Sequence, residues 1–373
     1  MRALLLTAGL SFMATQAVAQ VALTRARAAV FTETYAFDEG LGLKRVNEIT
    51  VPVGADLRLG RFADLTLSSG WARVLLRADE TSPLEDQQLS GVLDTEFRLG
   101  VNAIPGRLIV LATGVIPTGI KTVQESELSV LGALSSDIIG FAAPSVGSGG
   151  SVGGGFAGAL PLGRFALGLG ATYRRPVGYT PLLGDTASLR PGAELRVRVG
   201  LEGPLARMTY VRAAAVYAVR GKDELAGTPQ PGVGNRIVAY LSVNQQVGRV
   251  ATTLYAFDVY RASPQIEGTP LGAARLPEGN LLAFGSRFAI PVRRGTEVTP
   301  RFEVRLSTAQ DSTAAGLRRL GNSFRFGLDV RNQFTTQLAA VLQVGRVTGD
   351  VVQRGTDIDF TGTRAALHLE FSP

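Results

Sequence analysis

The stretch AELRVRVGLE, Ala193–Glu202, alternates without a break. Ala193, Leu195, Val197, Val199 and Leu201 are apolar, and Glu194, Arg196, Arg198, Gly200 and Glu202 between them are charged or small. Successive side chains of an extended chain point to opposite faces, so this segment has one greasy face and one charged face. The pattern recurs on both sides of it. In 48–59, Ile49, Val51, Val53, Ala55, Leu57 and Leu59 alternate with Glu48, Thr50, Pro52, Asp56 and Arg58. In 299–307, Pro300, Phe302, Val304 and Leu306 alternate with Arg301, Glu303 and Arg305.

About sixteen such segments of roughly 10–14 residues run from 24–37 to 358–371, long enough for tilted spanning strands. The parity of the first, 24–37, and of the third, around Trp71, is ambiguous. Connections alternate in length. Short ones fall at Gly60–Ala63, Ile104–Gly106, Pro161–Arg164 and Gly248–Arg249. Longer ones fall at 78–87, 118–149, 177–190, 262–279 and 348–357. Short turns on one side and longer loops on the other are the habit of transmembrane barrels. A lumen closed by this many strands is too wide for side chains to fill, so the apolar face must turn outward to lipid. The reading is an all-β, closed antiparallel transmembrane β-barrel of about sixteen strands, with fourteen as the fallback. It occupies 20–373, with a short helix in the longest loop. A soluble β-sandwich, the alternative, gives no reason for regular alternation of loop length.

Residues 1–19 read as a cleaved signal peptide: Arg2, an apolar run over Ala3–Ala14, and the small-x-small site Ala17-Val18-Ala19. Export and a barrel together point to the outer membrane of a Gram-negative bacterium. The net charge is +7, and Lys44, Lys121 and Lys222 are the only lysines beside many arginines. The arginines are spread along strands and form no basic arm, which excludes nucleic acid as a partner. There is no cysteine and one histidine, His368. No nucleophile, metal or cofactor site is expected, and the chain reads as a non-enzyme. The Gly-rich run Gly147–Gly155 lacks the Lys-Ser/Thr ending of a phosphate loop. Asp350, Asp357 and Asp359 read as solvated loop charge and not as a calcium site.

At its end the chain resembles bacterial outer-membrane proteins in general, whose last strand closes on an aromatic residue. Phe371 stands there, followed by Ser372 and Pro373. The resemblance implies recognition of Phe371 by the barrel assembly machinery. The runs Ile116-Pro117-Thr118-Gly119 and Gly147-Ser148-Gly149, with the Gly-rich hairpin through Tyr173, are similar to the outer-membrane family named for the meta-pathway of phenol degradation. That similarity implies passage of small hydrophobic or aromatic molecules.

The longest connection, 118–149, carries Leu128, Leu131, Leu134 and Ile138 near helical spacing, with Val130, Ile139 and Phe141 beside them. It is too apolar to stand in water, so a helix over 124–141 should lie in or over the lumen. Its place in the strand order is similar to that of the constriction loop in sixteen-stranded general porins, without their Pro-Glu-Phe-Gly-Gly run. Glu125, Glu127 and Asp137 would face the wall arginines across the lumen. The wall set comprises Arg58, Arg98, Arg196, Arg198, Arg301, Glu303, Arg305 and Arg325. Among inward acids the alternation also gives Glu194, Glu202, Asp258, Asp329 and Glu370. Aromatic rims are expected at Phe165, Phe334 and Phe371 on one side and Tyr173, Tyr260 and Phe360 on the other.

The functional expectation is an outer-membrane channel or diffusion transporter for small molecules. The alternatives are a water-filled porin with weak anion selectivity and a structural or adhesion barrel that transports nothing. Lipid, the assembly machinery and a small solute are the expected partners; the oligomeric state is open.

Overall fold

The structure, a computed structural model, describes residues 21–80, 82, 85–134, 136, 138–143, 147–230, 234–262, 278–310, 317–353 and 355–373. The leader expected over 1–19 lies outside them. One antiparallel sheet of seventeen strand segments closes on itself, because the first strand pairs with both the second and the last. Two segments, Gln87–Val92 and Thr95–Ile104, are halves of one strand that both pair with the third, so sixteen strands span the wall. They are β1 (Val21–Phe37), β2 (Leu43–Leu59), β3 (Ala63–Ala78), β4 (the two halves), β5 (Leu108–Ile116), β6 (Ser151–Leu162), β7 (Phe165–Pro176) and β8 (Glu194–Ala206). Then follow β9 (Thr209–Arg220), β10 (Arg236–Val247), β11 (Val250–Arg261), β12 (Glu278–Arg293), β13 (Thr296–Gln310), β14 (Leu317–Gln333), β15 (Leu338–Gln353) and β16 (Thr356–Phe371).

Every strand pairs with its sequence neighbours, so the connections fall alternately at two ends. At the short-turn end tight reversals put Gly163 at φ 59° and Gly248 at φ 60°, a region open to residues without a Cβ. The chain termini sit at that end. At the long-loop end β15 and β16 run further than the alternation suggested. In place of a loop over 348–357, pairing continues from Thr348↔Thr361 to Gln353↔Thr356. Asp350 and Asp357 both pair there with Arg319 of β14, the former at 3.0 Å. The Asp350 region is thus an ion-paired extension of the wall. No group of three or more potential metal-ligating side chains occurs among the described residues.

The outward faces are apolar. Leu195, Val197, Val199, Phe302, Val304 and Leu306 are all exposed, as are Ile49 and Val53. Only lipid accepts such a surface around a closed sheet. Val197→Arg places a charge at mid-strand on that face, where the cost is about 2–4 kcal/mol. It should cut the yield of heat-modifiable, folded barrel in lipid vesicles, whereas Arg198→Ala should not. Equal yields would contradict the parity.

The parity of β1 and β3 is settled. On β1, Ala29, Phe31, Glu33 and Tyr35 point inward, and Val30 points outward. On β3, Trp71 faces out while Ala72, Val74 and Leu76 are buried inside. Two expected placements are corrected. Phe360 is not a rim aromatic: it faces inward, 1% exposed, because even positions of β16 share the face of Arg364. Asp258 is not a lumen acid: it pairs in register with Ala239 and Leu282, on the outward face of exposed Leu254.

Candidate lumen site and constriction

The longest connection enters the barrel. A 3-10 turn, Glu125–Glu127, runs into α1, Leu128–Leu134. The Gln124 amide donates to the Glu127 carboxylate at 2.8 Å, capping the turn. The helix is shorter than the 124–141 expected. Its tight first turn rotates the apolar stripe, so Val130 (0%) and Leu134 (1%) are buried while Leu128 is 44% exposed. Leu131 is partly buried against the same cluster and Ile138 is buried. Glu125 is exposed, and Glu127 accepts from the Gln124 amide. Asp137 lies outside the described residues.

What buries the stripe is an apolar patch of inner wall near the long-loop end. Tyr35, Val46, Val74, Leu76, Leu89, Val347 and Phe360 pack there against Val130, Leu134, Ile138, Ile139 and Phe141 of the loop. The Tyr35 and Phe141 rings meet edge to face, 5.0 Å between centroids. Each large side chain so buried contributes on the order of 1.5–3 kcal/mol. The closure entropy of a loop rises only slowly with its length, so this packing holds the segment in.

Below this patch the wall turns charged and grips the loop's backbone. Glu48 accepts from the Ala143 amide at 2.9 Å and from Thr50. Arg325 donates to the carbonyls of Ile138 (2.8 Å) and Ile139, Ser323 to Ile138, and Arg364 to Gly140 at 2.8 Å. Arg364 also pairs with the buried Glu33. A non-helical stretch inside a barrel needs partners for its peptide groups, and these side chains supply them. At the break in β4, Asp94 accepts from Gly119 (2.9 Å) and from the Ser148 amide and hydroxyl (2.7 and 2.8 Å), tying both ends of the loop to one carboxylate. The next long loop joins in: Val123 donates to Pro181 and Leu183 to Val123. Burial, with Asp223 and Asp94 nearby, raises the Tyr179 hydroxyl above its ordinary pKa, so this phenol at the mouth stays neutral.

The packing is one-sided. It uses β1–β4, β15 and β16 and leaves the opposite wall free. Inward positions on β6 and β7 include Gly153, Gly155, Ala157, Ala159, Gly168 and Gly170, so the wall is thin there, and Ser151, Thr172 and Arg174 stand on the same face nearer the long-loop end. Two adjoining cavities of about 320 and 420 Å³ are both lined by Ser68, Glu96 and Arg174, and the larger also meets Ala142, Ala143, Gly147 and Ser148 of the loop. The first is also lined by Arg98, Thr113, Thr172, Glu194 and Arg196. Arg196 pairs with Glu194. Arg198 shares their face, and Arg58 faces inward near Asp64 (3.5 Å) toward the short-turn end.

On the far side of the loop a third cavity of about 200 Å³ is lined by Tyr255, Arg287, Arg301, Glu303, Arg305, Arg325 and Arg364. Arg305 pairs with Glu303 at 2.7 Å and Arg301 with Asp329 at 3.3 Å. The wall arginines read from alternation therefore divide between two compartments. Glu33, Glu48, Asp94 and Tyr35 were not singled out in the sequence; their partners lie far along the chain. His368 packs edge-on against Phe31.

No protein-family model matches the chain, and no curated protein matches it in sequence. The similarity read over 100–175 to the phenol-degradation family is therefore without a family match. Among solved structures the chain is similar to OpdQ of Pseudomonas aeruginosa, at 11% identity and TM-score 0.47, over 94% of this chain and 97% of that one. It is similar to OccAB3 of Acinetobacter baumannii at 11% identity and TM-score 0.48, over 95% and 99%. It is also similar to OmpT, an outer membrane protein of Vibrio cholerae, at 11% identity and TM-score 0.42, over 93% and 97%.

Proposed function

We propose that the chain is an outer-membrane channel through which small, water-soluble solutes diffuse, with a preference for anions. One observation carries this reading: Val130, Leu134, Ile138, Ile139 and Phe141 of the inserted loop are buried against one wall, and the open side of the lumen is lined by Arg98, Arg174 and Arg196 with Glu96 and Glu194. Charged linings set selectivity in pores, and arginine favours anions. Over β8–β16, with Asp258 on the outer face, the inward arginines outnumber the inward acids. In this reading the leader 1–19 directs export, the assembly machinery reads Phe371, and the chain performs no covalent chemistry.

The reading is tested by the reversal potential of purified protein in a planar bilayer across a tenfold KCl gradient. The expected result is a potential displaced toward that of chloride, fading near 1 M salt as the screening length falls to about 3 Å. A potential displaced toward that of potassium would contradict it. So would absence of conductance together with uptake of an apolar solute.

A further inference from the structure

We propose that the outward face of β2 and β3, at the long-loop end, binds the phosphorylated headgroup of an outer-leaflet lipid. The proposal rests on the outer-membrane placement in the channel reading and not on conduction. A tilted strand crosses the hydrocarbon in roughly 9–11 residues. Counted from the short turn between Leu59 and Ala63, that length reaches Ile49 on β2 and Arg73 on β3. Exposed Trp71 lies just inside this level on the outward face, where the aromatic girdle of such barrels sits. Three arginines stand at or beyond it on the same face: Arg73, Arg77 and Arg45, all exposed.

Arg45 and Arg77 are directly opposite each other in the ladder, and Arg73 is opposite Ile49. Their neighbours Val46, Val74 and Leu76 are buried on the inner face, so the three guanidinium groups point away from the lumen. Like charges facing each other across a ladder destabilise it. Among the described residues no acid pairs with any of the three. Arg73 donates to the neutral Gln88 amide oxygen at 2.9 Å. In the turn beyond Arg77, Glu80 pairs with Lys44 at 3.2 Å and Asp86 accepts from the Ala78 amide at 3.0 Å. A phosphate between Arg45 and Arg77 would relieve their repulsion, and the guanidinium fork matches its paired oxygens. Thr34 and Asn47, opposite each other on the same face, add polar groups beside it. The cluster is continuous with the apolar face through Trp71, Ile49 and Val53, so a ligand carrying both phosphate and acyl chains covers both surfaces. The patch is local. On β8 and β9 the outward positions at the same end are Leu195, Tyr217 and Val219.

Native mass spectrometry of the detergent-solubilised barrel tests the site, with lipid A in one arm and the same lipid stripped of its phosphates in the other. Lipid A should be retained at least tenfold more tightly than the stripped lipid, a comparison that needs no variant. Arg45→Gln with Arg77→Gln should weaken its retention at least tenfold. Arg207→Gln, in an exposed turn at the other end, should leave it unchanged. Heat-modifiability on gels shows that each variant is folded. A tenfold excess of inorganic phosphate should not displace the lipid; displacement would assign the arginines to a free anion and overturn the proposal. Equal retention of the two lipids, or undiminished retention of lipid A by the folded double variant, overturns it as well. An anion-directed reversal potential in that same protein would leave the channel reading standing, so the two fail separately.

Discussion

Removal of residues 124–141 should leave a folded barrel whose single-channel conductance is raised several-fold. The deleted stretch contains α1 and most of the apolar face that fills the space against β1–β4, β15 and β16. It contributes nothing to the strand ladders, which run unbroken from β1 to β16 and back. The wall patch of Tyr35, Val46, Val74 and Leu76 would become wet, so some thermal stability should be lost. The pairing that closes the barrel would remain. A point substitution should go part of the way: Val130→Asp places a carboxylate at a fully buried position, at a cost of roughly several kcal/mol. Unchanged conductance in the deletion would put the loop outside the conducting path.

The second large effect is expected at the backbone clamp. Arg325→Ala removes hydrogen bonds to the carbonyls of Ile138 and Ile139 and a counter-charge of Glu303. Breaking one side of such a buried arrangement costs about 3–5 kcal/mol. The sheet does not depend on this residue, so the cost should appear as release of the loop. Single-channel recordings should show added open-channel noise and excursions toward the conductance of the deletion. Arg325→Lys, which keeps the charge but not the fork, should fall between. A quiet current at the original level would show that the apolar packing alone holds the loop.

The alternation was legible wherever one face of a strand meets lipid and the other meets water. At Ala193–Glu202 and 299–307 it assigned the faces correctly. It blurred on β3 because Ala72, Val74 and Leu76 face the apolar loop and not water, so both faces are greasy. The same cause misplaced Phe360, an inward aromatic that looks like a rim residue when read alone. The loop's entry into the lumen followed from its apolar content, but its geometry did not. The 3-10 turn at Glu125–Glu127 shifts the helical phase, trading Leu128 for Val130, and no periodicity count anticipates that shift. Glu48 and Asp94 were invisible as site residues for a further reason: they bind peptide groups of the loop, and backbone partners leave no mark on the sequence.

The loop closes one side of the lumen, and in the proposed channel solutes pass along the Gly-rich wall of β6 and β7. The chain has no cysteine, so single cysteines can be placed freely and probed during bilayer recording with a small, charged thiol reagent. Thr172→Cys stands on the open wall and Val74→Cys beneath the loop. The reagent should lower the current through Thr172→Cys within seconds and leave Val74→Cys unmodified until residues 124–141 are deleted. Rapid modification of Val74→Cys with the loop intact, and none of Thr172→Cys, would contradict it.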